Sequence, residues 1–100
     1  MLKSVVEIND KNKRYKATFT NGKTTKFGQS NPKQGTYIDH KNKTLRKNYY
    51  IKRYLRDLNS NDYTRAGYLS LFISWDKPTL KESITSYNKR IKNNNWEIKI

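Results

Sequence analysis

The dipeptide Asn21-Gly22 constrains this fold more than any other feature of the sequence. It sits between two stretches with strand character. Upstream, Arg14 to Thr20 puts Tyr15, Ala17 and Phe19 on one side and Lys16, Thr18 and Thr20 on the other, the period-2 pattern of a half-buried strand. Downstream, Lys23 to Phe27 is the returning strand. Asn-Gly tolerates positive φ at both positions, so the spacing predicts a hairpin closed by a type I′ turn. Leu2 to Ile8, rich in Val and Ile, supplies a third strand, joined to the hairpin by a polar turn over residues 9–13.

Gly28 to Gly35 is a loop punctuated by Gly, Ser and Asn-Pro, without a phosphate-cradling motif. Helical signals follow. Residues 39–58, DHKNKTLRKNYYIKRYLRDL, form a basic helix for which Asp39, Asn42 and Thr44 are candidate caps. At 100° per residue, Ile51, Tyr54, Leu55 and Leu58 share one side and are expected in the core. Arg46, Tyr49, Lys52, Arg53 and Arg56 share the opposite, solvent side, with Tyr50 on the boundary.

A second helix is expected from a cap at Asn61 or Asp62 to about Trp75. It is apolar nearly all round and therefore central. Asp76-Lys77-Pro78 breaks it. Thr79 with Glu82 reads as a capping box, and Leu80, Ile84, Tyr87 and Ile91 give the third helix its apolar stripe. The tail Trp96 to Ile100 alternates and suits either a short final strand or a loose end. The expected fold is a single α+β domain over residues 1–100, an N-terminal three-stranded antiparallel sheet packed against three helices.

Charge narrows the function. Lys and Arg number 22 against 8 Asp and Glu, a net charge of +14, which attracts phosphate polymers or other polyanions through its long-range field. Fifteen of the cations and four of the acids fall within residues 1–58, so one basic face is expected rather than a uniform coat. An A/T-rich coding bias towards Lys, Asn, Ile and Tyr accounts for part of the excess. There is no cysteine, hence no disulfide framework or thiolate metal site. No apolar run is long enough to cross a bilayer, and the first ten residues are too soon polar for a signal peptide.

Catalytic motifs are not evident. His40 is the only histidine, too few for a histidine metal site. A structural hydrogen bond at the helix start suits it better than general-base chemistry with Tyr37. Ser70, Ser74, Ser83 and Ser86 lack the turn context that activates a serine. No enzyme activity, cofactor or metal is expected. Among the 13 aromatics, Tyr15, Phe19, Phe72, Trp75 and Tyr87 read as core. Tyr49, Tyr50 and Tyr63 are the candidates for stacking on bases.

Phe27-Gly28, Tyr37, His40-Lys41, Arg46, Tyr50, Arg53, Asp62, Ala66-Gly67, Leu69-Ser70, Trp75, Lys77-Pro78, Leu80, Ser83-Ile84, Tyr87 and Arg90 together resemble a small basic family of unknown function common in large and giant DNA viruses of algae and amoebae. The likeness spans about Tyr15 to Ile91. The sequence departs from that pattern at Tyr54, where the family tends to have histidine, at Arg65 for threonine and at Asn42 for aspartate. The resemblance implies a viral protein of the host cytoplasm, viral factory or virion, and implies no activity.

The expectation is therefore a non-enzymatic nucleic-acid-binding protein, DNA before RNA, that contacts phosphates with little sequence selectivity. Its contact residues are expected to be Lys41, Lys43, Arg46, Lys47, Lys52, Arg53 and Arg56, with Tyr49 as a stacking residue. The alternative is a minor virion or adaptor protein that binds another protein or pairs with itself, for which a dimer through residues 96–100 is one route.

Overall fold

The computed structural model describes residues 1–8, 10, 12–29, 35–58 and 62–98. Strands β1 (Leu2–Glu7), β2 (Lys13–Phe19) and β3 (Thr24–Gln29) form an antiparallel sheet in the order β1-β2-β3. Tyr15 stands opposite Glu7 and Phe27, and Ala17 opposite Val5 and Thr25. One face thus gathers Leu2, Val5, Tyr15, Ala17, Phe19 and Phe27, all buried.

The hairpin forms where Asn21-Gly22 marks it, but the turn is not type I′. Phe19 N–H donates to the Lys23 carbonyl at 2.9 Å and Gly22 N–H to the Phe19 carbonyl at 3.0 Å, which leaves a three-residue loop. Only Gly22, at φ 90°, is left-handed here; Lys41 and Asn94 are the described non-glycine residues with positive φ. Asn21 instead accepts the Lys23 N–H at 3.0 Å through its side chain. A turn followed by a left-handed glycine is the other common way to close a hairpin.

The helical half contains α1 (Tyr37–His40), α2 (Lys43–Asp57), α3 (Ala66–Leu69), which runs on as a π-helical stretch at Ser70–Ser74, and α4 (Leu80–Asn93). The helix expected over residues 39–58 is divided. Lys41 ends α1 in the left-handed conformation at φ 54°. Asn42 then caps α2, its Oδ1 accepting Thr44 N–H at 2.9 Å and Leu45 N–H at 3.2 Å. Asp39 belongs to the earlier turn, where its Oδ2 accepts from the Thr36 backbone N–H at 2.7 Å and hydroxyl at 3.0 Å. Gly35 makes room for it, since a Cβ there would lie 2.8 Å from the Asp39 Cβ.

The second helix begins later than expected. Asp62 closes a turn ahead of it, accepting Thr64 N–H at 2.9 Å, and α3 starts at Ala66. Asn61, the other candidate cap, lies outside the described residues. Leu71, Phe72, Ile73 and Ser74 are buried in succession, because the π-helical stretch packs against β3, α2, α3 and α4 at once. At α4 the expected cap is present: Thr79 Oγ1 accepts Glu82 N–H at 3.2 Å. Farther along, the Asn88 side-chain amide clamps β1, accepting Leu2 N–H at 2.8 Å and donating to the Leu2 carbonyl at 3.0 Å.

Tyrosines fill much of the core. Tyr15, Tyr50 and Tyr87 are among its largest fully buried side chains. Tyr50 O–H donates to the Leu71 carbonyl and Tyr87 O–H to the Tyr63 carbonyl, which meets the partner requirement of a buried phenol. Burial pushes both phenols far above the ordinary tyrosine range.

Within its described part, residues 96–98, the tail is neither loose nor a strand. Trp96 packs against Tyr63, Tyr68, Phe72 and Tyr87, with ring centroids 5.3–5.8 Å away. Its carbonyl accepts Tyr54 O–H at 2.7 Å. Tyr63, a candidate for base stacking, here stacks on Trp96 at 5.8 Å and packs against the core.

Candidate nucleic-acid interface

The orientation of α2 differs from its sequence expectation, and the site follows from that. Ile51, expected in the core, is 64% exposed, whereas Tyr50 is 1% exposed. Arg46, Tyr50, Tyr54 and Leu58 follow one another at i+4 and form the inner stripe. The Leu55 side chain lies outside the described set. The large apolar ring at Tyr50 sets the rotation, and Arg46 is carried inward with it.

Arg46, expected on the solvent side, is instead turned inward to Asp76. Its Nη2 lies 3.3 Å from Asp76 Oδ1, and its Nε–H donates to the Asp76 carbonyl at 3.0 Å. Its guanidinium also covers the Tyr50 ring at 4.9 Å and the Tyr37 ring at 5.6 Å. The Asp76 side chain is 1% exposed; its Oδ2 accepts Ser86 O–H at 2.9 Å and faces Arg90 Nη2 at 3.8 Å. One carboxylate between two arginines ties α2, the end of the π-helical stretch and α4 together.

Trp75, the residue before Asp76, is held as a consequence. It stacks on Tyr49 with centroids 4.2 Å apart and planes within 6°. His40 backs Trp75 at 5.3 Å and meets the Tyr37 ring at 6.3 Å. His40 Nδ1 accepts Asn42 N–H at 2.9 Å, which fixes the imidazole at the α1–α2 junction. On the outer side of the stack, the Arg53 guanidinium lies over Tyr49 at 5.5 Å. The outcome is a cluster, here termed the column, in which Arg53 and His40 both adjoin the Tyr49–Trp75 stack. Trp75 is half-buried and packs at the edge of the core, as Tyr49 does.

Two clefts flank the column. One of about 360 Å³ is lined by Leu45, Asn48, Tyr49, Lys52, Arg53 and Trp75. The other, about 290 Å³, shares Tyr49 and Arg53 and adds Lys13 and Arg56 beside Gly28, Gly67 and Ser70. Of the residues expected to contact phosphate, Lys41, Lys43, Lys47, Lys52, Arg53 and Arg56 are exposed. Lys52, Arg53 and Arg56 meet at the clefts, while Lys41 turns its Nζ to the Ile38 carbonyl at 2.8 Å.

Lys13 and Trp75 are the residues that the sequence reading missed. Lys13 lies at the start of β2, far from α2 in sequence. Trp75 reads as core from the sequence and does pack against it, but its position beside the Asp-Lys-Pro break also leaves it partly open at the surface. Among the described residues no group of His, Asp or Glu could hold a metal ion, and no helix is long and apolar enough to cross a membrane. The arrangement offers cations for phosphates and ring surface for flat groups.

A family model described as a family of unknown function, DUF5754, matches residues 4–53, from β1 to the Arg53 end of the column. No curated protein and no solved structure matches the chain.

Proposed function

The chain belongs to the DUF5754 family, a family of unknown function, and we propose from the chemistry of its α2 face that it binds nucleic acid through the phosphate backbone, without enzymatic activity and with little sequence selectivity. The observation that carries this reading is the convergence of Lys13, Lys52, Arg53 and Arg56 on two clefts that share Tyr49. Cations from two separate elements meet there, which an unselected surface charge does not require. A net charge of +14 adds long-range attraction for a polyanion. DNA is the expected polymer. On the sequence resemblance alone, the proposal extends to a viral protein that packages or organises a genome.

The test is binding to duplex DNA, single-stranded DNA, RNA and heparin across a salt series. Counterion release makes the affinity fall as salt rises, by a slope of about 0.9 per phosphate neutralised on a duplex. The variant Lys52→Glu, Arg53→Glu, Arg56→Glu is expected to flatten that slope by about 2–3 while keeping the far-UV spectrum of the parent. Arg46 has no place in this variant because it is committed to Asp76. Binding that ignores salt, or that survives the triple substitution unchanged, overturns the proposal.

A further inference from the structure

The Tyr49 ring is covered by one fixed group, Trp75, and by one movable group, Arg53. Trp75 covers the first at 4.2 Å and 6°. The Arg53 guanidinium lies over the ring 5.5 Å from its centre, and Tyr50 meets the ring in an edge contact at 5.9 Å. The two groups differ in how firmly they are held. Trp75 also meets the His40 ring at 5.3 Å, and its neighbour Asp76 is anchored to Arg46 and Arg90. Arg53 stands on an exposed side chain.

We propose that Arg53 holds the place of an unpaired base on the outer face of Tyr49, and that single-stranded nucleic acid is the ligand this site selects. The inference rests on the nucleic-acid reading above and names the form of the polymer. A base stacked on an aromatic ring is bound more strongly than an exposed cation–π contact, so exchange of the guanidinium for a base is favourable. The displaced guanidinium is not lost, because Arg53 lines both clefts and can pair with a phosphate or cover the far side of the base. The platform is already rigid, so little ordering opposes binding.

The clefts suit the two parts of one nucleotide. The groove beside Tyr49, Trp75 and Lys52, about 360 Å³, lies within the range of roughly 300–1,000 Å³ that small-ligand sites occupy. It would take the base and sugar. The adjoining cleft, where Lys13, Arg53 and Arg56 meet Gly28 and Gly67, would take the phosphate, with small residues allowing close approach of the backbone. A paired base in a duplex has its faces covered by its neighbours and cannot reach Tyr49.

The experiment compares a thymidine oligonucleotide, a duplex of matched length and heparin at one salt concentration. The wild-type chain is expected to bind the single strand roughly tenfold more tightly than the duplex, the size of one base–aromatic stack. Tyr49→Leu is expected to abolish that preference and leave duplex and heparin binding intact, and Tyr49→Phe to retain it. Arg53→Ala should weaken heparin and duplex binding more than single-strand binding, because the base no longer has a guanidinium to displace. A second readout does not depend on any Tyr49 variant folding. In Trp96→Phe, Trp75 is the one remaining tryptophan of the two, and its fluorescence should change with the oligonucleotide but not with heparin. Salt-sensitive binding with equal affinity for single strand and duplex overturns this inference and leaves the phosphate reading standing. Absence of binding to any of the three overturns both.

Discussion

Arg46 and Asp76 join α2 to the end of the π-helical stretch by two contacts, Nη2 to Oδ1 at 3.3 Å and Nε–H to the Asp76 carbonyl at 3.0 Å. Arg90 approaches the same carboxylate at 3.8 Å. The two arginine side chains are each 16% exposed. The carboxylate therefore faces two largely buried cations at once. Asp76→Ala removes the carboxylate that both arginines share and should cost about 3–5 kcal/mol, read from the urea midpoint. It should also release Trp75, so the tryptophan emission of whatever folded fraction remains should shift towards that of solvent-exposed indole. A midpoint within about 0.5 kcal/mol of wild type would show that the triad does not hold these elements together.

The rotation of α2 makes a paired prediction. Tyr50 is 1% exposed and Ile51 is 64% exposed. Tyr50→Ala should cost about 3–5 kcal/mol, as for other large aromatics removed from a core. Ile51→Lys should change stability by no more than about 0.5 kcal/mol, as surface substitutions do. Chemical denaturation of the two variants side by side decides the matter. Equal losses would place both residues in the core and reverse the orientation of the helix.

Asp39 supplies the pH dependence. Both of its oxygens accept from the Arg14 guanidinium at 2.6 Å, and this pairing, helped by Thr36, holds its carboxyl well below the usual carboxylate range. A depressed acid contributes stability above its unfolded pKa of 3.8 and loses it as the pH falls through the folded value. Partial exposure limits the contribution to about 1–2 kcal/mol at neutral pH. Asp39→Asn should therefore be less stable than wild type at pH 7, with the gap narrowing below about pH 4. A gap that stays constant from neutral to strongly acid pH would show that the carboxylate charge is not what stabilises this turn.

The sheet was legible because its signals are local. Alternation at Tyr15, Ala17 and Phe19 assigns β2 its buried face, and Asn21-Gly22 marks the reversal even though the turn that forms is a different one. The Thr79–Glu82 cap and the break at Asp76-Lys77-Pro78 were legible for the same reason, since each is decided within a few residues. The tail was not. Trp96 is drawn into the aromatic cluster by Tyr63, Tyr68, Phe72 and Tyr87, none of them near it in sequence.

The site shows the same division more sharply. The sequence by itself determined that α2 exists, that it is cationic, and that Lys52, Arg53 and Arg56 lie on it. It could not determine which way the helix turns. Ile51 and Tyr50 are one residue apart, and an apolar count favours either phase nearly equally. Arg46 looks like a solvent-facing cation until Asp76, 30 residues later, provides a buried carboxylate. Only the tertiary structure brings these two together, because the cost of burying a guanidinium is met by a partner on another element. The rotation that this pairing permits then stacks Tyr49 on Trp75 and brings Lys13 to the rim of the cleft.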